Sequence, residues 1–511
     1  MQIVIPMSGI GKRFLDAGYT DPKPLIKVDG KPIIEHVLNL FPDEKNITFI
    51  CNDKHLHETD MRKILKDISP SSKIFEVPVE GRKGPVHAVS LVFDKIKDDD
   101  EVIVSYCDYG TVWDYKKFLK DTREKNCQGA IACYKGFHPH MLGSDNYAFV
   151  KEKNNYMIEI KEKQSFTDDK MNEYASNGTY YFQSGKIMKK YFRKLVQKDI
   201  SVKGEYYVSM VYNLMVKDNL KINIFEIEKM LQWGTPYDLE IYKGWSDYFY
   251  KLKNCKRLVL KDNLETTLIL PMAGKGSRFK KEGYQISKPL LDVDGKPMVV
   301  QAVNSLPDTK NKIFVSQKSY NIEKILKRYY DNLKIIDIDY TTKGQACSCQ
   351  LALENLDLEK PILISACDNG VYYDVRKYND LIFDESIDVI VWSFRNQQTS
   401  KNNPNMYSWL DVDEENNVKF VSSKNFIYDD PLKTHAIIGT FFFRKAKYFA
   451  EGLRANYQKD IKTNDEFYVD DVINRNIEKG LKVKVFEVEN YICWGTPNDY
   501  KTYNYWKNYF N

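Results

Sequence analysis

Two short stretches carry residues suited to gripping a polyphosphate. "PMSGIGKRF" from Pro6 and "PMAGKGSRF" from Pro271 set Gly9 and Gly11, and Gly274 and Gly276, directly after apolar runs. Lacking a Cβ, glycine lets main-chain N–H groups approach an anion closely. Arg13 and Arg278 add a planar, permanently charged fork. Lys23 in "PKPL" and Lys288 in "SKPL" each precede a proline. That predicts an extended backbone and a fixed cation about one short helix beyond the glycines. One glycine pair alone would equally suit a tight strand-to-helix turn, and one such lysine a solvated loop. The recurrence of the whole set favours a phosphate site. Phe14 and Phe279 occupy the third-glycine position of G-x-G-x-x-G, which disfavours a dinucleotide fingerprint, and neither loop has the G-x-x-x-x-G-K-[ST] spacing.

A second chemistry sits at Asp108 in "VIVSYCDYG" and Asp368 in "ILISACDNG". Each follows an apolar run, so each carboxylate is expected at a strand end on the ligand side. A hard oxygen ligand there suits Mg²⁺, although a lone Asp at such a place also caps helices. Neither stretch has the Asp-x-Asp pair expected of a metal-dependent glycosyltransferase.

These residues belong to an internal repeat. "IVIPMSGIGKRFLDAGYTDPKPLIKVDGKPI" from Ile3 recurs as "LILPMAGKGSRFKKEGYQISKPLLDVDGKPM" from Leu268, without a gap. Gly84 then pairs with Gly344, Asp108 with Asp368, Gly178 with Gly439, Glu205 with Glu466, and Trp233-Gly234-Thr235-Pro236 with Trp494-Gly495-Thr496-Pro497. A period this long means a duplicated domain and not a solenoid. The expected domains are 1–254 and 266–511, joined by a charged, polar linker over 255–265.

Within each half, short β-branched runs alternate with helical patterns, the signature of a mostly parallel sheet with crossover helices. In the first half, strands are predicted at 2–6, 46–51, 73–77, 101–107, 129–134 and 175–182. Helices are predicted at 33–40, 85–94, 114–124, 185–196 and 208–217. Strands this apolar are buried on both faces, so ligands should gather at their C-terminal edge.

Composition narrows the partners. The 511 residues are 43% hydrophobic and carry Lys+Arg 76 against Asp+Glu 71, a net charge of only +5 spread along the chain. This gives no electrostatic case for nucleic acid or an anionic membrane. The opening Met1-Gln2-Ile3-Val4-Ile5 does not read as a signal peptide, and no apolar run approaches the about 20 residues of a membrane span. Nine cysteines without paired spacing read as reduced thiols of a cytoplasmic protein. Cys347-Ser348-Cys349 is read as core packing on a helix, not as a metal or redox pair.

The combined pattern "(I/L)PM(S/A)GxGxRFxxxGYxxxKPL…VDGKP" resembles the sugar-nucleotide pyrophosphorylases and related nucleotidyltransferases, especially their capsule-polysaccharide branch, over nearly all of both halves. The resemblance implies two tandem Rossmann-like, glycosyltransferase-A-like α/β domains. It implies the reaction of a nucleoside triphosphate with a phosphorylated acceptor to give the nucleotide-linked product and pyrophosphate. It assigns Gly9, Gly11, Arg13 and Lys23, and Gly274, Gly276, Arg278 and Lys288, to the triphosphate, with Asp108 and Asp368 on Mg²⁺. Gly84, Gly344 and Gln345 would meet the base. Lys163 and Lys424, with Gly178, Glu205, Gly439 and Glu466, would face the acceptor. Capsule-pathway relatives activate sugar phosphates and also phosphorylated alcohols, amines and amino-acid derivatives, often with CTP, which is the nucleotide the resemblance favours.

The chain also departs from these relatives. Where many place a second metal-binding Asp, two residues before the Gly-Thr near the C-terminus, this sequence has Gln232 and Cys493. Asp238 and Asp499 lie nearby but are equally suited to capping a helix. His87 is read as a packed or exposed histidine, since this transfer needs no base of its pKa. On the acceptor side Glu162 precedes Lys163, whereas Ser423 precedes Lys424. That difference predicts either different acceptors in the two halves or one half without turnover. Homo-oligomerisation stays open.

Overall fold

A computed structural model describes residues 1–255, 265–354 and 356–511. It divides into two compact units, Met1–Lys243 and Gly244–Asn511, with the division falling inside the helix Pro236–Asn254. The linker predicted over 255–265 lies outside the described residues apart from its two ends.

The first unit is built on a nine-stranded sheet. From one edge, Lys73–Val77, Ile47–Asn52, Gln2–Met7 and Val102–Ser105 run parallel. Tyr174–Phe182 then inserts antiparallel between Val102–Ser105 and Gly129–Tyr134. Ile222–Glu226 runs parallel to Gly129–Tyr134, and the hairpin of Ala148–Lys153 and Tyr156–Glu162 closes the far edge. A separate two-stranded ribbon pairs Tyr109–Val112 with Lys229–Gln232.

The second unit repeats this plan. Leu333–Ile338, Asn311–Gln317, Thr267–Met272 and Ile362–Ile364 run parallel, followed by antiparallel His435–Phe443, then Val389–Phe394 and Val483–Glu487. Trp409–Val412 and Val418–Ser422 form its hairpin, and Asn369–Tyr372 pairs with Asn490–Cys493.

The strands are apolar at consecutive positions because both faces are covered. In Thr267–Met272, Ile269 joins a core with Ala346, Phe449 and Val472, while Leu268, Leu270 and Met272 join another with Val299, Val303 and Tyr378. Alternate side chains therefore enter different cores, each capped by helices, as the sheet's period of two requires. In the first unit the helices Pro85–Ser90, Gly185–Gln197 and Val208–Lys217 cover one face through Val89, Phe192 and Tyr212.

The sequence pattern placed Val208–Lys217 at its observed limits, and Asp114 of the predicted helix is in fact its N-cap, accepting from Lys117 N at 2.9 Å. Two expectations change. The strand predicted over 101–107 stops at Ser105, so Asp108 sits in the bend that follows it. The helix predicted over 85–94 ends at Ser90, and a 3-10 turn at Phe93–Lys95 carries the chain on. No described helix is long and apolar enough to cross a membrane. Cys349 is buried in the second unit's core, and Cys347 is half-buried against the Tyr457 hydroxyl at 3.3 Å.

Candidate active site

The glycine loops lie at the C-terminal ends of Gln2–Met7 and Thr267–Met272, each opening onto a helix of five residues. Gly11 and Gly276 take left-handed φ of 68° and 60°, which a side chain would oppose. Gly9 and Gly274 have open space where a Cβ would stand, leaving room beside the main chain. Arg13 and Arg278 are exposed and form no ion pair among the described residues.

The two lysines correct the expected backbone. Lys23–Leu25 and Lys288–Leu290 are 3-10 turns and not extended segments, closed by Leu25 N to Pro22 O at 2.8 Å and Leu290 N to Ser287 O at 2.9 Å. Proline at the second position of such a turn gives up no hydrogen bond, because its amide would have had no partner there. The turn aims each lysine at the neighbouring carboxylate. Lys23 Nζ lies 2.7 Å from Asp108 Oδ2, and Lys288 Nζ pairs with Asp368 Oδ2 while also donating to Gly495 O at 2.9 Å. Burial would lower the pKa of each ammonium, but the facing carboxylate outweighs it and raises both. Burial likewise works against Asp368, yet Lys288 holds its carboxyl below the ordinary range.

The Trp-Gly-Thr-Pro segments are brought to these carboxylates by the two-stranded ribbons, through Gln232 opposite Tyr109 and Cys493 opposite Asn369. A Cβ at Gly110 would meet the buried Trp233 ring at 2.6 Å, and one at Gly370 the Trp494 ring at 2.8 Å, so only glycine lets each indole seat. A point 2.9 Å from Asp108 Oδ2 and 3.3 Å from Gln232 Oε1 marks where a Gly234 Cβ would be, so two oxygen donors flank one spot. At Gly495 the corresponding neighbours are Cys493 Sγ at 3.2 Å and Asp368 Oδ2 at 3.3 Å. That thiol donates to Asp499 Oδ2 at 3.4 Å, and burial pushes its pKa far up. Asp238 and Asp499 pair with Thr235 and Thr496 as helix caps, at 2.6 and 2.7 Å. Burial raises the Asp238 carboxyl to about 6, despite the Thr235 hydrogen bond and Arg13.

Gly84 and Gly344 serve packing. A Cβ at Gly84 would meet Tyr206 N at 2.8 Å, and one at Gly344 would meet Phe467 O at 2.5 Å. Their neighbours form matching main-chain pairs, Tyr206 N to Lys83 O and Phe467 N to Lys343 O, both at 2.8 Å. This ties the turn at Gly84 or Gly344 to the segment bearing Glu205 or Glu466. Gln345 opens the helix Gln345–Leu353 and is half-buried. His87 has its pKa lowered by burial and by Lys83.

Around the residues expected to meet the acceptor, Lys163 Nζ donates to the Tyr207 hydroxyl, which donates to Glu205; Ser209 holds Glu162 at 2.6 Å. The Lys163 ammonium also lies 4.4 Å from the Tyr207 ring centre. Gly178 has φ of 99° and faces Tyr106, where a Cβ would fall 3.1 Å from the ring. In the second unit Lys424 lies over the Tyr468 ring at 5.7 Å but donates to Met406 O at 2.7 Å. Ser423 bonds Asp471 at 2.5 Å, and a Cβ at Gly439 would fall 3.7 Å from that of Ala366. Lys163 and Lys424 share a left-handed φ, of 57° and 53°, a rare state for a long side chain. Tyr207 and Tyr468 were not among the residues singled out from the sequence, although "EYYV" and "EFYV" recur after the paired glutamates.

A doubly wound α/β unit with a glycine-rich loop, a lysine and an aspartate at one sheet edge, present twice, defines a nucleotide-handling protein. Residues 3–247 match the family model described as nucleotidyl transferase, and residues 268–397 match the MobA-like NTP transferase domain. The chain belongs to the nucleotidyltransferases, with one such domain in each unit. Among curated proteins it is 26% identical over 231 residues to the bifunctional protein GlmU of Buchnera aphidicola subsp. Baizongia pistaciae, covering 45% of this chain and 48% of that one. To the putative mannose-1-phosphate guanyltransferase of Sulfolobus acidocaldarius it is 21% identical over 230 residues, covering 43% and 62%. The chain thus spans about half the length of the GlmU relatives it matches. Among solved structures, the nucleoside-diphosphate-sugar pyrophosphorylase of Vibrio cholerae RC9 is 23% identical, covers 47% of this chain and 99% of its own, and has a TM-score of 0.40. The inositol-1-phosphate CTP transferase of T. maritima is 17% identical, covers 48% and 96%, and has a TM-score of 0.38.

Proposed function

We propose that each unit transfers a nucleotidyl group from a nucleoside triphosphate to a phosphorylated small molecule, releasing pyrophosphate, and that the domains run over 1–254 and 266–511. The observation that carries this reading is the lysine–aspartate pair beside a glycine loop whose amides have no main-chain acceptor among the described residues, formed twice. In this scheme the amides of the loop, Arg13 and Lys23 hold the triphosphate, as do their counterparts with Arg278 and Lys288. The acceptor phosphate oxygen attacks the α-phosphorus in line, a new P–O bond forms, and the bond to the leaving pyrophosphate breaks. No protein nucleophile is needed. The acceptor enters beside Lys163 and Tyr207, or Lys424 and Tyr468, with Gly178, Glu205, Gly439 and Glu466 shaping that side. Gly84, Gly344 and Gln345 border the base.

Asp108 with Gln232 offers two hard oxygen donors side by side and fits Mg²⁺, whereas Asp368 stands beside a thiol and would hold the ion alone. Bound there, Mg²⁺ would supply charge stabilisation at the phosphates. The proposed nucleotide is CTP and the acceptor a phosphorylated sugar, alcohol or amine used in surface-polysaccharide synthesis in the cytoplasm, both carried over from the sequence resemblance. A second reading, in which only the first unit turns over, is favoured by Cys493 and by Ser423 in place of a glutamate.

The test is a pyrophosphate-release screen of four nucleoside triphosphates against phosphorylated sugars, alcohols and amines. It uses the intact chain and variants disabled at Lys23 or Lys288. Release that requires both an NTP and a phosphorylated acceptor is the expected result. Release unaffected by either lysine variant would discard the assignment.

A further inference from the structure

The glycine loops present amides to a ligand only if their peptide planes are held. The chain has no cis peptide bonds among the described residues, and in a planar trans peptide the C=O of one residue and the N–H of the next point in opposite directions. Anchoring the carbonyl of Ser8 therefore turns the Gly9 amide away from the anchor, and anchoring Gly9 does the same for Ile10. In the second unit Ala273 governs Gly274, and Gly274 governs Lys275. The amides of Gly9, Ile10, Gly274 and Lys275 have no main-chain acceptor among the described residues.

Both units anchor these carbonyls, with different side chains. In the first, buried Asn52 at the end of its strand lies with Nδ2 3.2 Å from Ser8 O and 3.5 Å from Gly9 O. Arg82 donates from Nη1 to Ser8 O at 3.1 Å and from Nε to Val79 O at 2.7 Å. In the second, Gln317 ends the corresponding strand and reaches farther by one methylene. Its Nε2 donates to Ala273 O at 2.7 Å and to Tyr340 O at 2.8 Å. The Tyr320 hydroxyl takes Gly274 O at 2.5 Å. Thus each unit ties the first loop carbonyl to the segment following its edge strand, and each holds the next carbonyl as well. Asn52 with Arg82 does in one unit what Gln317 with Tyr320 does in the other.

We propose that these four side chains are positioning residues that aim the loop amides at the nucleotide's phosphates. The inference rests on the reading of both loops as triphosphate sites. Arg82 acts through the carbonyls it binds, so its charge is not the property that matters; the second unit obtains the same geometry from two neutral side chains.

The second unit gives the cleaner test because its anchors can be removed without changing charge. Binding of inorganic tripolyphosphate with Mg²⁺ to the intact chain is measured by calorimetry for the unaltered protein, Gln317→Met, Tyr320→Phe, Gln317→Asn and Lys288→Ala. Hydrogen exchange at Gly274 and Lys275 is followed with and without the anion. Two sites are expected in the unaltered protein. Gln317→Met and Tyr320→Phe should each weaken one of them about tenfold, the scale of one charge-assisted hydrogen bond, and should remove its protection of Gly274 and Lys275. Gln317→Asn, which keeps an amide donor, should restore most of the affinity. If Gln317→Met fails to fold, Tyr320→Phe removes a single oxygen and decides the matter. Anchor variants that bind normally while Lys288→Ala weakens one site would overturn the positioning role and leave the triphosphate site standing. No uptake by the unaltered protein, or none lost in Lys288→Ala, would bring down the site reading and this inference with it.

Discussion

The two units agree where a triphosphate would lie and diverge where an acceptor and a metal would lie. Glycine loop, exposed arginine, lysine–aspartate pair and tryptophan seated on glycine recur with closely similar geometry. Around them, Cys493 stands at the position of Gln232 and Ser423 at that of Glu162, and where the first unit links Lys163 through Tyr207 to Glu205 the second has a lysine turned to a backbone carbonyl. Even the shared part is held by different side chains. The comparison teaches that loop geometry can be kept while the residues enforcing it change, because a carbonyl accepts equally from an amide, a guanidinium or a phenol.

The most severe way to break the comparison is to remove the lysines. Lys23→Ala and Lys288→Ala should each lower pyrophosphate release at their own unit by roughly 100-fold, the scale of losing one charge-stabilising group. Loss from only one of them would mean that only one unit turns over.

Acid should separate the units next. The first unit buries His138, whose pKa burial lowers to about 4, and half-buries His140, pushed well below the ordinary value; the second half-buries His435, lowered to about 4. A histidine with a lowered folded pKa binds fewer protons folded than unfolded, so its contribution is present above about 6.5 and is lost as pH falls toward 4. Each such ring should remove about 2 kcal/mol at pH 5. Hydrogen exchange, corrected for intrinsic rates, should show the first unit losing protection first on acidification. Equal loss in both units would contradict the electrostatics.

A smaller effect is expected from filling the space beneath the tryptophans. Gly110→Ala or Gly370→Ala should destabilise its unit by about 2 kcal/mol, since a rigid ring must shift. Thermal melting measures it, and the stronger clash at Gly110 predicts the larger shift there.

The mildest change addresses the metal. Cys493→Asp should increase the second unit's affinity for Mn²⁺ about tenfold by adding an oxygen donor, and Gln232→Cys should weaken the first by a similar factor. Titration by water-proton relaxation reports both, and an unchanged affinity in each would remove Gln232 and Cys493 from the metal's surroundings.

Much of this was legible in the chain. Duplication, the α/β plan and the glycine–arginine–lysine–aspartate set follow from local types and spacing, because continuous apolar strands, prolines and glycines act within a few residues. The hairpin of Ala148–Lys153 and Tyr156–Glu162 was not, since Lys151, Glu152 and Lys153, and Glu159, Lys161 and Glu162, break up its apolar positions. Tyr207 stood in a repeated "YV" pair that marks it only once its distance from Lys163 is known.

Sequence alone therefore determined which groups are available and that the glycine–arginine–lysine–aspartate set exists twice. Tertiary structure decided how they meet: that proline shapes a 3-10 turn and not an extended arm at Lys23, that Gly84 and Gly344 are needed for backbone packing, and that Asn52, Arg82, Gln317 and Tyr320 grip the loops. Those contacts join residues far apart in the chain, and their energies depend on distances of a few tenths of an ångström that only folding sets.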